Sequence, residues 1–400
     1  MSSRISSGDC RPSDAVRRLE AKQVIPVCEP FLEGKEDQYV SECVRTGWIS
    51  SSGPFIEQFE QQWSAYCGRS YGVAVCNGTA ALWCAVASLN LQPGDEVVIP
   101  SFTIMSCAQA IIACGGTPVL VDSDPDTWTM DVAAVESRIT PRTRAIMPVH
   151  IYGHPVNLDP ILSLAKEQGL MVIEDAAEAH GAEYQTALCG GSPAWHRCGG
   201  FGDMSCFSFY ANKPVTTGEG GMVVTDDPVM AAKLRSLRNL CFGNERRFVH
   251  ESLGFNFRLT NLQAALGVAQ IERIDEIVGR KRAIGKAYVE RLGSVAELQL
   301  QQEQDWARSV FWMNGVVLAD DVDMDAALLG RLLKQNGVDT RPFFVGMHEQ
   351  PVLRERGLFQ NEACPVATRL ARRGLYLPSG AGLTMDEVNE VCDTLQEVLP

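Results

Sequence analysis

The sequence predicts an α/β protein: a mostly parallel sheet in a large domain sandwiched by helices, with a smaller α+β domain at the C-terminal end. Three observations predict it. From residue 71 to residue 173, short apolar runs alternate with helical segments, the pattern of strands buried on both faces. The 400-residue chain is 46% hydrophobic and 21% charged, enough apolar material for a large core. After the long amphipathic stretch Leu262 to Lys286 the alternation gives way to a mixed pattern. The division expected is a polar N-terminal extension over 1–22, a large domain over 23–280 and a small domain over 281–400.

The elements follow in order. Tyr71 to Cys76 is a β-branched run that leads through Asn77-Gly78-Thr79 into an alanine-rich helix, Ala80 to Leu89. The Pro93-Gly94 turn announces a second strand, Glu96 to Pro100. Helix Ser106 to Ala113, strand Pro118 to Asp122, helix Val132 to Ile139 and strand Ala145 to Val149 come next. Asn157 to Gln168 reads as a helix stopped by Gly169, before the strand Leu170 to Ile173. Two more apolar runs, Ser205 to Tyr210 and Gly221 to Thr225, flank a Thr- and Gly-rich loop. Beyond the amphipathic stretch stand a strand, Asn314 to Leu318, and helices Asp325 to Asn336 and Met385 to Val398.

Composition excludes several classes. Lys+Arg number 35 against 49 Asp+Glu, a formal charge of −14, which speaks against a nucleic-acid partner. The 14 cysteines are scattered with no Cys-x-x-Cys pair, so they read as small buried residues in a reducing compartment. No apolar run is long enough to span a membrane, and the first twenty residues lack an apolar secretory core. A soluble, cytoplasmic protein is expected.

Three segments carry candidate chemistry. Lys213 leaves an apolar strand in Phe207-Ser208-Phe209-Tyr210-Ala211-Asn212-Lys213-Pro214; the other seven lysines occupy ordinary polar or helical settings. A lysine at a strand exit is partly desolvated, which favours the neutral amine that attacks a carbonyl. Taken alone, a solvated loop lysine fits as well. Glu174 and Asp175 end a strand at its carboxyl edge, where open α/β sheets bind ligands. A buried carboxylate there needs a cation, such as a protonated pyridine nitrogen, although a helix N-cap is the commoner use of Asp. Asn77-Gly78-Thr79 is a strand-to-helix junction whose amides and dipole favour an anion, or else a plain capped helix start. An anion cradle, a strand-edge acid and a strand-exit lysine together are what pyridoxal 5'-phosphate requires. His150 and His154 fall across a strand end and a turn, and no metal site is expected from them.

From about Ile25 onward the chain resembles the DegT/DnrJ/EryC1/StrS sugar-nucleotide aminotransferases, a branch of the fold type I pyridoxal phosphate enzymes. The resemblance rests on Gly47 to Pro54, Asn77 to Leu82, His150 to Gly153, Glu174 to Ala179, Ser208 to Gly221, Phe255 to Gln263 and Thr340 to Phe344. Phe207 to Val224, Asn256 to Arg258 and Arg341 to Phe344 carry a closer likeness to the perosamine-forming branch, which aminates C4 of GDP-4-keto-6-deoxymannose with L-glutamate as donor and 2-oxoglutarate as co-product. The resemblance implies Lys213 as the lysine that holds the cofactor aldehyde and Asp175 as partner of its ring nitrogen. It implies Glu178 at the ring hydroxyl, and Gly78, Thr79 and Ser208 at the phosphate. Asn256 would reach the phosphate of a neighbouring subunit, making a homodimer with shared active sites. Trp48, Tyr152, His180, Arg341 and Phe344 would meet the substrate; His180 either orients Asp175 or packs. Two departures stand out: Ile104 occupies the place where relatives carry an aromatic ring over the cofactor, and Gln185 to Gly200 is a long insertion, expected to form an ordered surface loop near the site. Alternatives are a UDP- or dTDP-linked keto sugar, a sugar 3-dehydratase, in which His usually replaces the lysine, or a non-catalytic regulator.

Overall fold

The computed structural model describes residues 24–188, 190, 192–243, 248–250 and 252–400. The expected extension over 1–22 lies outside these. Helices α1 (Glu36–Thr46) and α2 (Pro54–Tyr66) lead into β1 (Tyr71–Val75) and α3 (Gly78–Ser88). Then come β2 (Glu96–Pro100), α4 (Ser106–Ala113), β3 (Thr117–Val121), α5 (Val132–Val135), β4 (Thr143–Ile146), α6 (Leu158–Gln168) and β5 (Met171–Asp175). The helix expected over Val132 to Ile139 is one α-turn continued as a 3₁₀ turn, Glu136–Arg138. A hairpin, β6 (Glu183–Thr186) and β7 (Ala194–Arg197), precedes β8 (Met204–Ser208), β9 (Gly221–Thr225) and α7 (Pro228–Arg238).

Among the described residues, seven strands form the main sheet in the order β1-β9-β8-β5-β4-β2-β3. The pairs β2–β3, β2–β4, β4–β5 and β5–β8 are parallel, and β9 runs against both of its neighbours. The carboxyl ends of β1, β2, β5 and β8 therefore share one edge, and the start of β9 meets them there. β1, β5, β8 and β9 are buried along nearly their whole length, the signature of a sheet covered on both faces.

The amphipathic stretch Leu262 to Lys286 is two helices, not one: α8 (Asn261–Ile271) and α9 (Ile274–Leu292). The halves pack on different partners, α8 on α1 and α2, and α9 on the C-terminal helix. Gln270 anchors the end of α8 by donating to Phe31 O at 2.9 Å and Glu36 Oε1 at 2.6 Å. A straight helix would pull one half off its support.

The C-terminal part adds β10 (Leu298–Leu300), β11 (Ala307–Arg308), β12 (Asn314–Leu318), α10 (Ala326–Gln335), β13 (Arg341–Pro342), α11 (Pro351–Arg354), α12 (Pro365–Arg373), β14 (Gly374–Leu377) and α13 (Met385–Val398). Its sheet has the order β10-β12-β14-β13, and its own apolar cluster holds Ile284, Tyr288, Leu329, Val391 and Leu395. Residue 280, the expected division, falls inside α9, and Ile25 joins the C-terminal cluster through a bridge to Val338. The insertion is the β6–β7 hairpin, which pairs with β11.

Candidate active site

The shared strand edge opens into a cavity of about 380 Å³. One wall is the junction of β1 and α3. Asn77 caps α3 by accepting from the Ala80 amide at 2.8 Å, which leaves the Gly78 and Thr79 amides outside the helical ladder. Gly78 is required by contact: a Cβ there would lie 2.6 Å from Ser208 Cβ, so the helix start and the end of β8 meet. Thr79 Oγ1 lies 2.8 Å from Ser106 Oγ. Two open amides and two hydroxyls at a helix N-terminus form a cradle for an anion.

The second wall is the end of β5. Asp175 is buried; its Oδ2 accepts from the Cys107 thiol at 3.2 Å and its Oδ1 from the Ala177 amide at 3.1 Å. Burial pushes its pKa up, against the pull of those two bonds and the Lys213 charge. A thiol and one amide are thin compensation for a buried carboxylate, which has room for a cationic partner.

Lys213 forms the third wall. Its Nζ lies 3.6 Å from Glu178 Oε1 and 3.5 Å from the centroid of the Trp312 ring. Burial lowers the pKa of Lys213 and raises that of Glu178, so desolvation drives both toward their neutral forms while each resists for the other. Glu178 Oε2 accepts from the Tyr152 amide at 2.8 Å, and Tyr152 takes a left-handed φ of 55° to present it. Such surroundings make a lysine a nucleophile.

Of the residues singled out in the sequence, Gly78, Thr79, Ile104, Asp175, Glu178, Ser208, Lys213 and Phe344 line this cavity. Others do not. Asn256 is exposed and its Oδ1 accepts from Arg258, with distances of 3.0 and 2.7 Å. Trp48 is 52% exposed and lies away from the cavity wall. Arg341 is exposed on β13 and pairs with Asp339 at 2.6 Å. Tyr152 is fully buried one layer behind, reaching the site through its backbone. His180 packs rather than orienting Asp175: its ring contacts Trp63, Phe207 and Phe209, and Nδ1 accepts from the Val215 amide at 3.3 Å. The ring has no exposed surface, so it does not reach a substrate in the cavity.

Sequence reading missed Cys107, Trp312, Tyr210 and Tyr376, all now at the site or bonded to it. Cys107 follows Ser106 on α4 without any motif, and Trp312 and Tyr376 arrive from the C-terminal sheet. It paired Glu174 with Asp175 at the strand edge without telling them apart; Glu174 lies on the opposite face of β5. Glu174 accepts from His150 Nε2 at 3.0 Å, the amides of Gly199 and Phe201 at 2.9 and 2.8 Å, and Ser205 Oγ at 2.8 Å. Burial pushes the Glu174 pKa up, but the bond and charge of His150 lead the groups that bring it below the usual carboxylate range. Gly199 lies at the return of the insertion and Phe201 just beyond it, so the hairpin is tied to the residue beside Asp175.

The residues present fit pyridoxal 5'-phosphate. An anion cradle, a buried under-compensated carboxylate and a desolvated amine face one space of the right order of size.

A model of the DegT/DnrJ/EryC1/StrS aminotransferase family matches residues 30–396. The GDP-perosamine synthase of Caulobacter vibrioides is 43% identical, over 94% of this chain and 98% of that protein. The GDP-perosamine synthase of Escherichia coli O157:H7 is 38% identical, over 93% and 98%. The crystal structure of S. venezuelae DesV superimposes with a TM-score of 0.82 at 34% identity, over 91% of this chain and 94% of that one.

Proposed function

The chain belongs to the DegT/DnrJ/EryC1/StrS aminotransferase family, and from that premise we propose that it aminates C4 of GDP-4-keto-6-deoxymannose, giving GDP-perosamine, with L-glutamate as donor. It is a pyridoxal-phosphate-dependent sugar aminotransferase. The choice of sugar and nucleotide rests on its likeness to the two GDP-perosamine synthases. One observation carries the catalytic reading: Lys213 and Asp175 face the same cavity, with the Gly78–Thr79 cradle on its wall.

When bound, the cofactor supplies an aldehyde that takes up the amino group and a ring that accepts electrons from the carbon losing its proton. Gly78, Thr79 and Ser208 hold its phosphate. Asp175 would hold the proton on its ring nitrogen, and its burial would strengthen that pairing because water does not screen it. Lys213 Nζ would anchor the aldehyde at rest. In the first half-reaction the freed Nζ would take the α-proton of L-glutamate and pass it to the cofactor; in the second it would take a proton back and deliver it to C4 of the sugar. Glu178 faces this amine and balances its charge. Phe344 and Tyr376 give the cavity an aromatic wall.

Asn256 and the exposed apolar residues Trp48, Ile49, Ile104 and Tyr210 support a homodimer in which a second copy completes the site. Trp48 and Arg341, outside the cavity of their own chain, then contribute at its mouth. Among the described residues no helix is long and apolar enough to cross a membrane, in keeping with a soluble enzyme that we place in the cytoplasm.

The test is Lys213→Ala. Turnover, read as 2-oxoglutarate release with GDP-4-keto-6-deoxymannose and L-glutamate, is expected to vanish together with the visible absorbance of the lysine-bound cofactor. Persistence of both overturns the assignment. Product mass from parallel reactions with UDP- and dTDP-linked keto sugars decides the nucleotide.

A further inference from the structure

Among the described residues, Lys213 and Lys281 have buried side chains, and they are connected through one tryptophan. Trp312 stands just before β12. Its indole face covers Lys213 Nζ at 3.5 Å, and its Nε1–H donates to Asn212 O, the neighbour of Lys213, at 2.8 Å. Its carbonyl accepts from Lys281 Nζ at 2.7 Å, and the same amine donates to Ser379 O. Lys281 is only 3% exposed on α9, and both of these partners are carbonyls, not carboxylates. A buried ammonium spent on two backbone carbonyls is costly unless it fixes something.

We propose that Trp312 is a positioning residue for Lys213, giving the free amine a fixed seat whenever it is released from the aldehyde, and that Lys281 pins Trp312 in place. The inference takes from the preceding reading only that Lys213 is the reactive amine. A released lysine regains the rotamer freedom of its four-carbon stem, and the reaction needs its amine to stay beside the reacting carbon. An aromatic face attracts the ammonium without a hydrogen bond that must break before the amine returns. Trp312 is held from both sides, by Asn212 O at the indole and by Lys281 at the backbone, so the seat is rigid.

The groups that act on Lys213 are Asp175 at the end of β5, Glu178 from the turn that follows and Cys28 from the N-terminal segment, and the charge of Lys213 in turn helps keep the buried His180 ring neutral. Tyr376 of β14 lines the same cavity. Burial favours the neutral amine, whereas the two carboxylates, Cys28 and the Trp312 face favour the ammonium. Weakening the aromatic seat therefore moves the titration of Lys213 to lower pH.

The experiment uses enzyme loaded with pyridoxamine 5'-phosphate, in which Lys213 is a free amine. Carbamylation of Lys213 by cyanate is followed across pH by peptide mass spectrometry in the parent, Trp312→Phe and Lys281→Met. Trp312→Phe keeps an apolar ring but loses the indole donor and part of the ring's pull. Its midpoint is expected about half a unit lower, with kcat down several-fold and the glutamate KM within about twofold. Lys281→Met is expected to shift the midpoint the same way by less. If Lys281→Met does not fold, Trp312→Phe decides alone. An unmoved midpoint and unchanged kcat in Trp312→Phe make the tryptophan a wall only and overturn the proposal, while Lys213→Ala decides the identity of the reactive amine separately.

Discussion

Glu174 and Asp175 are consecutive residues on β5, both buried, and they live in opposite conditions. Glu174 receives four donors, from a histidine, two amides and a hydroxyl, and its pKa lies below the usual carboxylate range. Asp175 receives a thiol and one amide, and its pKa lies above. Alternation along a strand sends them to opposite faces, one into filled structure and one into the cavity. The difference teaches that the degree of hydrogen-bond satisfaction separates a structural acid from a ligand-binding one, where burial alone does not.

Substitution breaks the contrast most strongly on the filled face. Glu174→Ala orphans the donors of His150, Gly199, Phe201 and Ser205 and should cost about 3–5 kcal/mol in denaturant unfolding. A cost below about 1 kcal/mol would make the two acids equivalent. On the cavity face, Asp175→Asn should lower kcat about 10²–10³-fold while the melting temperature of the cofactor-free protein moves little. Large thermal loss without kinetic loss would reverse the roles assigned to the pair.

His154 sharpens the picture of the filled side. Its Nδ1–H donates to Pro155 O at 2.7 Å, its Nε2 faces the Gln304 amide at 3.4 Å, and burial lowers its pKa to about 4. Protonation is then easier in the unfolded chain, so the stability held by the neutral ring is complete above about pH 6.5 and is lost as pH falls toward 4. The loss reaches about 3 kcal/mol, and thermal melts over that window should show a shallower decline in His154→Gln. The smallest effect is expected at the cavity rim: Ile104→Ala should reduce kcat/KM by less than about tenfold, because an aliphatic side chain covers the cofactor by packing alone.

What the sequence disclosed divides along the same line. Helices Ala326–Gln335 and Met385–Val398 and strand Asn314–Leu318 lie where apolar periodicity and capping residues put them, because those signals are local. Lys213, Asp175, Gly78 and Thr79 were legible because each follows or ends a strand at its carboxyl end, and those ends share one edge of the sheet. Cys107, Trp312 and Tyr376 were not, since each reaches the site through packing between segments far apart in sequence. Lys281 looked like any helical lysine; its burial depends on where α9 turns after Arg273, and no residue marks that break. His180 misled for the opposite reason: beside the cofactor acid in sequence, its ring goes to the core with Trp63 and Phe209.

Trp312, Phe344 and Tyr376 close the cavity from the far side. A ribosome that has delivered residues up to 300 has already made the lysine and the carboxylate, but not the aromatic lining that shuts solvent out. Synthesis therefore supplies the reactive groups well before the aromatic residues that close their cavity, which arrive with roughly the last quarter of the chain.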